Sequence, residues 1–339
     1  MFETTPNLFL QSYASPWLDR FMLGVTWTGS ETFIVGLLCV VGLGVDFRRG
    51  FILLQILLIA FISSDVLKTI FALPRPYYLD ASLLDFGSLP KGTIALKDAA
   101  ANVFFGLIPD SSIAVYRNYA QGIDSYGFPS GHTVGAVVLW GGLALVFRKK
   151  TALLWAGIMI MLMMLSRLYL ARHFLADVLA GASIGVLWLL MARYLLDHLD
   201  ANTLFLRSTF SLTTNAKVAY LLLSIAFIVP LVIMATGHGD VGRQSAFMGI
   251  NAAFLALLFL NISIESGNWW QRAIRTLLGF GLFFGTNSLV KLLPMSHDDV
   301  GYLILKGFLP PFILFVLAYS IMSLFMTSEQ KQTPPLNRI

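Results

Sequence analysis

Three short segments of the 339-residue chain hold side chains that could bind and react with an anion. The first, KTIFALPRP, carries Lys68 and Arg75, and the third, SRLYLARHFLAD, carries Arg167. Three fixed cations at the edge of an apolar bundle repel one another unless an anion lies between them. Arginine presents planar, forked donors that match phosphate oxygens, and lysine presents a compact positive charge. The residue types therefore predict a phosphate-binding site.

The second segment, PSGH, adds backbone donors to this cation cluster. Ser130 and Gly131 stand where a long apolar run begins, so unpaired N–H groups and the positive end of a helix dipole would point at the same anion. Glycine at this position lets an oxygen approach without a side chain in the way. We therefore expect Ser130 and Gly131 to contribute to phosphate binding.

Histidines in the second and third segments supply groups for covalent catalysis. His173 and Asp177 are four residues apart, so a helix places them on one face, where the carboxylate can fix the tautomer of the imidazole. An oriented, neutral imidazole beside a phosphate is a nucleophile. His132 can protonate the departing oxygen and then accept a proton from water. These residues predict phosphoryl transfer through a phosphohistidine without a metal.

A zinc site is the alternative interpretation of the same side chains. His132, His173 and Asp177 are suitable ligand types, but the three cations nearby oppose a divalent ion. The single cysteine, Cys39, excludes a disulfide framework, a thiolate zinc site and an iron–sulfur centre. We therefore expect neither a metal nor a cofactor.

The elements that must position these residues are membrane helices. Hydrophobic residues make up 57% of the chain and charged residues 12%, about half the share found in ordinary soluble domains, and the mean hydropathy is +0.76. The net charge of +5 arises from 23 basic residues scattered in ones to threes, which does not form the basic face of a nucleic-acid-binding protein. The composition predicts an integral membrane protein.

The apolar runs predict an all-α, polytopic transmembrane bundle of about nine spans. The segments are 31–46, 50–73, 131–147, 151–169, 173–196, 217–237, 244–263, 271–293 and 301–326. Residues 8–29 are interrupted by Pro16, Asp19 and Arg20, which favours an interfacial helix over a span, and we see no removable signal peptide before it. Tyr77, Tyr78 and Tyr169 are expected as aromatic residues of the membrane interface.

Basic residues favour a topology with the N-terminus outside and the C-terminus inside. On that topology twelve basic residues lie in inner segments, against five in outer ones. The inner set is Arg48, Arg49, Arg148, Lys149, Lys150, Arg193, Arg207, Lys217, Arg272, Arg275, Lys331 and Arg338, and the outer set is Arg20, Lys91, Lys97, Arg117 and Arg243. An error in segment 271–293 would reverse only the later spans. The number of crossings places all three motifs on one face, which we expect to be the periplasmic face of a bacterial membrane, with the lumen of the endoplasmic reticulum as alternative.

The predicted spans divide the chain into four parts. Residues 1–30 form an interfacial N-terminal segment, 31–196 the core with the three motifs, 197–216 a cytoplasmic linker and 217–339 an accessory four-span bundle. The connection between Pro74 and Pro129 is too long for a simple turn between helices. We expect it to form a cap on the outer face.

The three segments, written K-x6-R-P, P-S-G-H and S-R-x5-H-x3-D, resemble the signature of the type 2 phosphatidic acid phosphatase superfamily over roughly residues 25–195. The resemblance implies phosphate binding by Lys68, Arg75, Ser130, Gly131 and Arg167, with His132 as acid, His173 as nucleophile and Asp177 as its partner. It also implies a reaction without metal. The nine-span layout is similar to the glucose-6-phosphatase and sphingoid-phosphate phosphatase branches.

The leading hypothesis is a metal-independent phosphatase that hydrolyses a lipid phosphate or diphosphate at the non-cytoplasmic face. The alternatives are a lipid phosphotransferase, a sugar-phosphate phosphatase, and a phospholipid transporter whose phosphate site does not cleave. Arg172 is not a signature position, and it is interpreted equally well as an interfacial cation or a substrate contact. The expected partners are a phosphorylated lipid and membrane lipids, and the sequence predicts no oligomeric state.

Overall fold

A computed structural model shows an all-helical protein over the residues that it describes. These are residues 1–84, 86, 106–119, 126–198, 214–260, 262 and 267–325, without the side chains of 118–119 and 214–220. No strand occurs among them. Several predicted positions lie outside the described residues, namely Lys91, Lys97, Arg207, Lys331, Arg338 and most of the linker 197–216.

Thirteen α-helices and one π-helical turn follow one another along the described chain. They are α1 (Thr5–Gln11), α2 (Pro16–Trp27), α3 (Glu31–Cys39) with the π-helical turn Val40–Val45, α4 (Phe47–Phe71), α5 (Pro76–Leu79), α6 (Asp110–Tyr119), α7 (Gly131–Phe147), α8 (Lys150–Tyr169), α9 (Leu175–His198), α10 (Thr214–Ala235), α11 (Val241–Phe259), α12 (Trp269–Val290) and α13 (Val300–Leu324). Each of the nine predicted apolar segments coincides with a helix of this series.

Polar residues set the starts of several helices. Ser15 caps α2, where Pro16 takes the first position, and its hydroxyl accepts a hydrogen bond from the Leu18 N–H at 3.4 Å. Asn268 and Gln271 form a reciprocal capping box at the start of α12. These side chains satisfy N–H groups that have no partner within the helix.

Within the described part of the chain, six helices are long and apolar enough to cross a membrane. They are Phe47–Leu79, Lys150–Tyr169, Leu175–His198, Val241–Phe259, Trp269–Val290 and Val300–Leu324. The pair Pro16–Trp27 and Glu31–Val45, bent by 53°, makes a seventh if it is one span. Helix α7, with 17 residues, is apolar but rises only about 25 Å. The structure therefore supports six or seven spans, and the count of nine crossings stays a prediction.

Contacts divide the described chain into two compact units. The first comprises Met1–Ile34 and Ser63–Leu189, and the second comprises Val35–Ile62 and the described part of Leu190–Ile339. All eight predicted site residues lie in the first unit. The four functional parts predicted from the sequence follow other boundaries and stay a prediction.

The second unit contains a buried arginine that the sequence had placed among the inner-loop charges. Arg275 lies within α12, is 2% exposed, and its Nε donates to the carbonyl of Leu43 at 2.7 Å. Its guanidinium carbon lies 4.5 Å from the ring centre of Tyr319, whose hydroxyl donates to the carbonyl of Gly42 at 2.7 Å. Arg275 therefore stabilises the π-helical turn and does not contribute to a solvated basic loop.

Candidate active site

The three motifs lie at the ends of five helices, α4, α5, α7, α8 and α9, within the first unit. Lys68 lies in the last turn of α4, and Arg75 directly precedes α5. Arg167 lies in the last turn of α8. The other predicted residues are Ser130 and Gly131 at the start of α7 with His132 next to them, His173 between α8 and α9, and Asp177 in the first turn of α9. Helix ends supply both the unpaired backbone groups and the charges of the site.

Backbone hydrogen bonds join the first motif to the residues just before the second motif, and the second motif to the third. The N–H of Gly127 donates to the carbonyl of Leu73 at 2.8 Å, and the N–H of Ser130 donates to the carbonyl of Asp177 at 2.9 Å. Because these bonds use backbone atoms, they fix the path of the chain beside the reactive side chains without using those side chains.

A side chain of the first motif contacts the third directly. Arg75 Nη1 donates to the carbonyl of Arg172 at 3.3 Å. The sequence predicted that the three motifs emerge on one face, and within the first unit the structure brings all three together.

The His173 imidazole is held by Asp177. Nδ1 of His173 lies 3.3 Å from Oδ2 of Asp177, and the same oxygen accepts the N–H of Phe174 at 2.9 Å. His173 is 2% exposed and Asp177 is fully buried. The contact at Nδ1 leaves Nε2 as the ring nitrogen that Asp177 does not engage, as the sequence predicted.

Three cations surround the two histidines. Arg75, Arg167 and Lys68 all lie within electrostatic range of both His132 and His173. Arg167 is 4% exposed, and its Nε has no hydrogen-bond partner among the described residues. A buried guanidinium N–H without a partner carries a substantial desolvation penalty. An anionic oxygen beside Nε would remove that penalty.

The start of α7 offers further donors. The hydroxyl of Ser130 accepts a hydrogen bond from the Thr133 hydroxyl at 3.0 Å, and no side chain among the described residues caps the first turn of the helix. A Cβ built on Gly131 would lie 3.0 Å from Nζ of Lys68. Gly131 therefore lets the lysine head approach the helix start, where the first N–H groups and the ammonium can face one oxygen.

Sequence reasoning missed two polar residues one turn before the first motif. Asp65 Oδ1 lies 3.7 Å from Nζ of Lys68 and orients the ammonium. Ser64 is fully buried, and its Oγ lies 4.0 Å from the Cβ position of Gly131. Their spacing from Lys68, three and four residues, is the helical signal that could have identified them.

The N-terminal helices supply contacts that no sequence signal indicated. The Thr26 hydroxyl accepts from Nη1 of Arg167 at 3.4 Å and donates to the hydroxyl of Ser166 at 3.1 Å. A Cβ built on Gly29 would lie 2.9 Å from Cδ2 of His132. The break between α2 and α3 therefore packs directly against the site.

The connection between Pro74 and Pro129 contains a helix, α6, that packs against the end of the first motif. Helix α6 places Tyr116 against Tyr77 and Tyr78, and Arg117 donates to the carbonyl of Phe71 at 2.8 Å. The prediction that Tyr77, Tyr78 and Tyr169 are membrane-interface aromatics was wrong, because all three are buried inside the unit. Residues 87–105 and 120–125 of the connection lie outside the described residues.

The site pairs an oriented imidazole with an anion-binding shell made of side-chain cations and helix-start amides. Such an arrangement can bind a phosphoryl group, attack it and stabilise its developing charge. Among the described residues, no group of three or more histidine, cysteine, aspartate or glutamate side chains could hold a metal ion.

Comparison with known proteins finds a family model that matches the region of the site. The model of the PAP2 superfamily matches residues 49–199 of this chain. The resemblance to type 2 phosphatidic acid phosphatases found in the sequence is thereby confirmed.

A curated relative matches over a similar region. Phosphatidylglycerophosphatase B of Bacillus subtilis (strain 168) is 29% identical over 181 residues, which cover 51% of this chain and 72% of that protein. No solved structure gives a significant match.

Proposed function

We propose that the protein is a membrane phosphatase that hydrolyses a lipid phosphate or diphosphate through a phosphohistidine. The observation that supports this proposal most directly is the buried guanidinium of Arg167, which lies beside the His173–Asp177 pair. Its Nε has no hydrogen-bond partner among the described residues. A buried cation in this position favours an anionic ligand. The adjacent imidazole can act as a nucleophile toward that ligand. The match to the PAP2 superfamily model supports the same reaction class.

In the first step Nε2 of His173 attacks phosphorus. A P–N bond forms, the P–O bond to the leaving group breaks, and protonated His132 gives its proton to the departing oxygen. Asp177 accepts the Nδ1–H of the imidazole and stabilises the positive charge that develops on the ring. Lys68, Arg75 and Arg167 neutralise the phosphoryl oxygens, as phosphoryl transfer requires.

In the second step water replaces the imidazole. Water attacks phosphorus, the P–N bond breaks, and His132 accepts a proton from that water. Inorganic phosphate leaves, His173 returns to its neutral form and His132 is again protonated. Both steps balance without an additional co-reactant.

A lipid is the substrate class that the membrane setting supports best. The motifs lie at the ends of apolar helices, of which α4 with α5, α8 and α9 are candidate spans. The relative from Bacillus subtilis is named for a phosphorylated glycerolipid. A phosphotransferase would use the same phosphohistidine with a lipid hydroxyl in place of water. A transporter needs no paired nucleophile and acid, and the His173 and His132 arrangement therefore speaks against it.

We expect the purified full-length protein to release phosphate from lipid phosphates without divalent metal, because fixed cations already neutralise the phosphoryl oxygens. The assay compares phosphatidylglycerol phosphate, phosphatidate, polyprenyl diphosphate, sphingosine phosphate and glucose 6-phosphate in detergent, with and without EDTA. Vanadate, which mimics five-coordinate phosphorus, should inhibit.

Each alternative function gives a different pattern in this assay. Preference for glucose 6-phosphate would support the sugar-phosphate phosphatase, and transfer of label to an added lipid alcohol would support the phosphotransferase. Loss of turnover in EDTA with recovery in Mg²⁺ would contradict the mechanism.

We further propose that the site faces the periplasm or an organelle lumen, with the cytoplasm on the side of the α7–α8 turn. The basic turn at Arg148, Lys149 and Lys150 supports this orientation, because such clusters accumulate on the cytoplasmic side. The turn lies at the opposite end of α7 from Gly131.

Cysteine labelling tests this orientation. In a Cys39→Ser background, Ser111→Cys in helix α6 should react with a membrane-impermeant thiol reagent on intact cells, whereas Thr151→Cys should react only after lysis. Both native side chains are exposed and Cys39 is buried. The reverse pattern would place the site in the cytoplasm.

A further inference from the structure

Helix α1 precedes the region matched by the family model, yet it contacts the chain between two residues of the site. Its side chains Asn7 and Gln11 are four residues apart and therefore lie on one face of the helix. Asn7 is fully buried and Gln11 is 6% exposed. A short helix whose buried face carries two amides is stabilised only if those amides find partners.

The amide of Asn7 bridges two carbonyl groups, one in the last turn of α8 and one in the α8–α9 link, residues 170–174. Its Nδ2 donates to the carbonyl of Leu168 at 2.7 Å and to the carbonyl of His173 at 3.1 Å. Leu168 follows the phosphate-binding Arg167, and His173 is the proposed nucleophile. One side chain therefore holds the backbone at Leu168 at a fixed distance from the backbone at His173.

The link needs these hydrogen bonds from Asn7 because its backbone is strained. Ala171 has a φ of +50°, in the left-handed region that residues other than glycine seldom adopt. A strained conformation persists only where its surroundings hold it in place. Gln11 adds a second contact, since its Nε2 donates to the carbonyl of Tyr169 at 2.9 Å.

Further contacts anchor the N-terminal segment on both sides of these amides. The Thr4 hydroxyl donates to the Asp80 carboxylate, and the Tyr169 hydroxyl donates to the Asp19 carboxylate. Burial alone would raise the pKa of Asp80, but hydrogen bonds from Ser82 and Thr4 hold it below its ordinary value. The stabilisation from Asp80 is therefore present above the unfolded-state pKa and is lost as pH falls through the folded-state pKa.

We propose that Asn7 is a positioning residue for catalysis, which holds the α8–α9 link so that Nε2 of His173 faces the phosphoryl group bound by Arg167. This inference rests on the proposed function. It assigns helix α1 a role in the chemical step, although α1 contributes no group that touches the substrate.

The test compares Asn7→Leu with wild type in the full-length protein. Leucine matches the size of asparagine but donates no hydrogen bond, so the link can relax and move the imidazole. We expect kcat on the best lipid phosphate to fall about thirtyfold, because a displacement of about 1 Å can cost a hundredfold. KM should change less than about threefold, since Lys68, Arg75 and the α7 start lie on other elements.

The rate of phosphoenzyme formation separates positioning from a merely structural role. In a rapid-quench experiment, that rate per folded molecule should fall in parallel with kcat in Asn7→Leu. Ser12→Ala serves as the matched control, because the Ser12 hydroxyl donates to the carbonyl of Phe9 at 2.7 Å on the exposed side of the same helix end. The control should retain the wild-type rate.

Every outcome of this experiment is decisive. If wild type is active and Asn7→Leu forms phosphoenzyme at the wild-type rate, the positioning inference is wrong and the proposed function stands. If wild type releases phosphate from none of the substrates, the proposed function is wrong. The inference, which rests on it, is then wrong as well. Should Asn7→Leu not fold, Gln11→Met, which removes the donor to the Tyr169 carbonyl, must lower the same rate, and an unchanged rate there overturns the inference.

Discussion

Replacing His173 by alanine should lower kcat by about a thousandfold or more, because the covalent route disappears with its nucleophile. The imidazole is buried and held at Nδ1 by Asp177, so no other described side chain occupies the same position. Steady-state phosphate release measures the loss. Alkaline quenching of wild type during turnover should trap labelled phosphate on histidine, and the variant should trap none.

His198→Ala is the matched control for this substitution. His198 lies on the same helix α9, but it is exposed and its Nδ1 lies 2.8 Å from the carbonyl of Tyr194. Its removal should leave both turnover and labelling unchanged. Wild-type turnover by His173→Ala would reject His173 as the nucleophile.

Arg167→Lys should lower kcat/KM about a hundredfold although the charge is kept. Nη1 of the buried guanidinium contacts Thr26 while Nε has no partner among the described residues and can donate to a bound phosphoryl oxygen, and one ammonium cannot make both contacts. Charge-assisted hydrogen bonds to a phosphoryl group contribute about 1.5–3 kcal/mol each, so the loss of the fork alone accounts for most of this effect. Initial rates at several substrate concentrations measure it.

Arg172→Lys tests whether the effect is specific to that position. Arg172 is half-buried, and it contacts the first motif through its backbone carbonyl, which any residue provides. We expect a change of less than about threefold if Arg172 is an interfacial cation. Equal losses in the two variants would show that Arg167 has no special role and would also favour substrate contact by Arg172.

The helices could be predicted from the sequence because an apolar chain in lipid must satisfy its backbone within each segment. Long apolar runs therefore indicated α4, α8 and α9 close to their actual ends. The same runs could not settle the number of crossings. Helix α7 has the composition of a span but not its length, and the α2–α3 pair is bent. Length and bending depend on packing, which composition does not record.

The candidate site could be predicted where its interacting residues are close together in the sequence. The i, i+4 relation of His173 and Asp177 predicted their contact, and the structure has it. The contacts of Asn7 with Leu168 and His173 could not be found in this way, because they span more than 160 residues and no periodicity links them. The prediction that Arg275 belongs to a solvated inner segment failed for a related reason. A basic residue near a helix start looks the same in sequence whether it is solvated or buried.

The long reach of the Asn7 contact has a consequence for biosynthesis. Asn7 and His173 are 166 residues apart in the chain. At a synthesis rate of about 5–20 residues per second, helix α1 therefore leaves the ribosome about 10–30 seconds before its partner exists. During that interval its two buried amides need other partners, such as water at the membrane surface or the insertion machinery. The contact therefore forms only after residue 173 has been made, and a chain that stalls before that residue carries Lys68 and Arg75 without the proposed nucleophile.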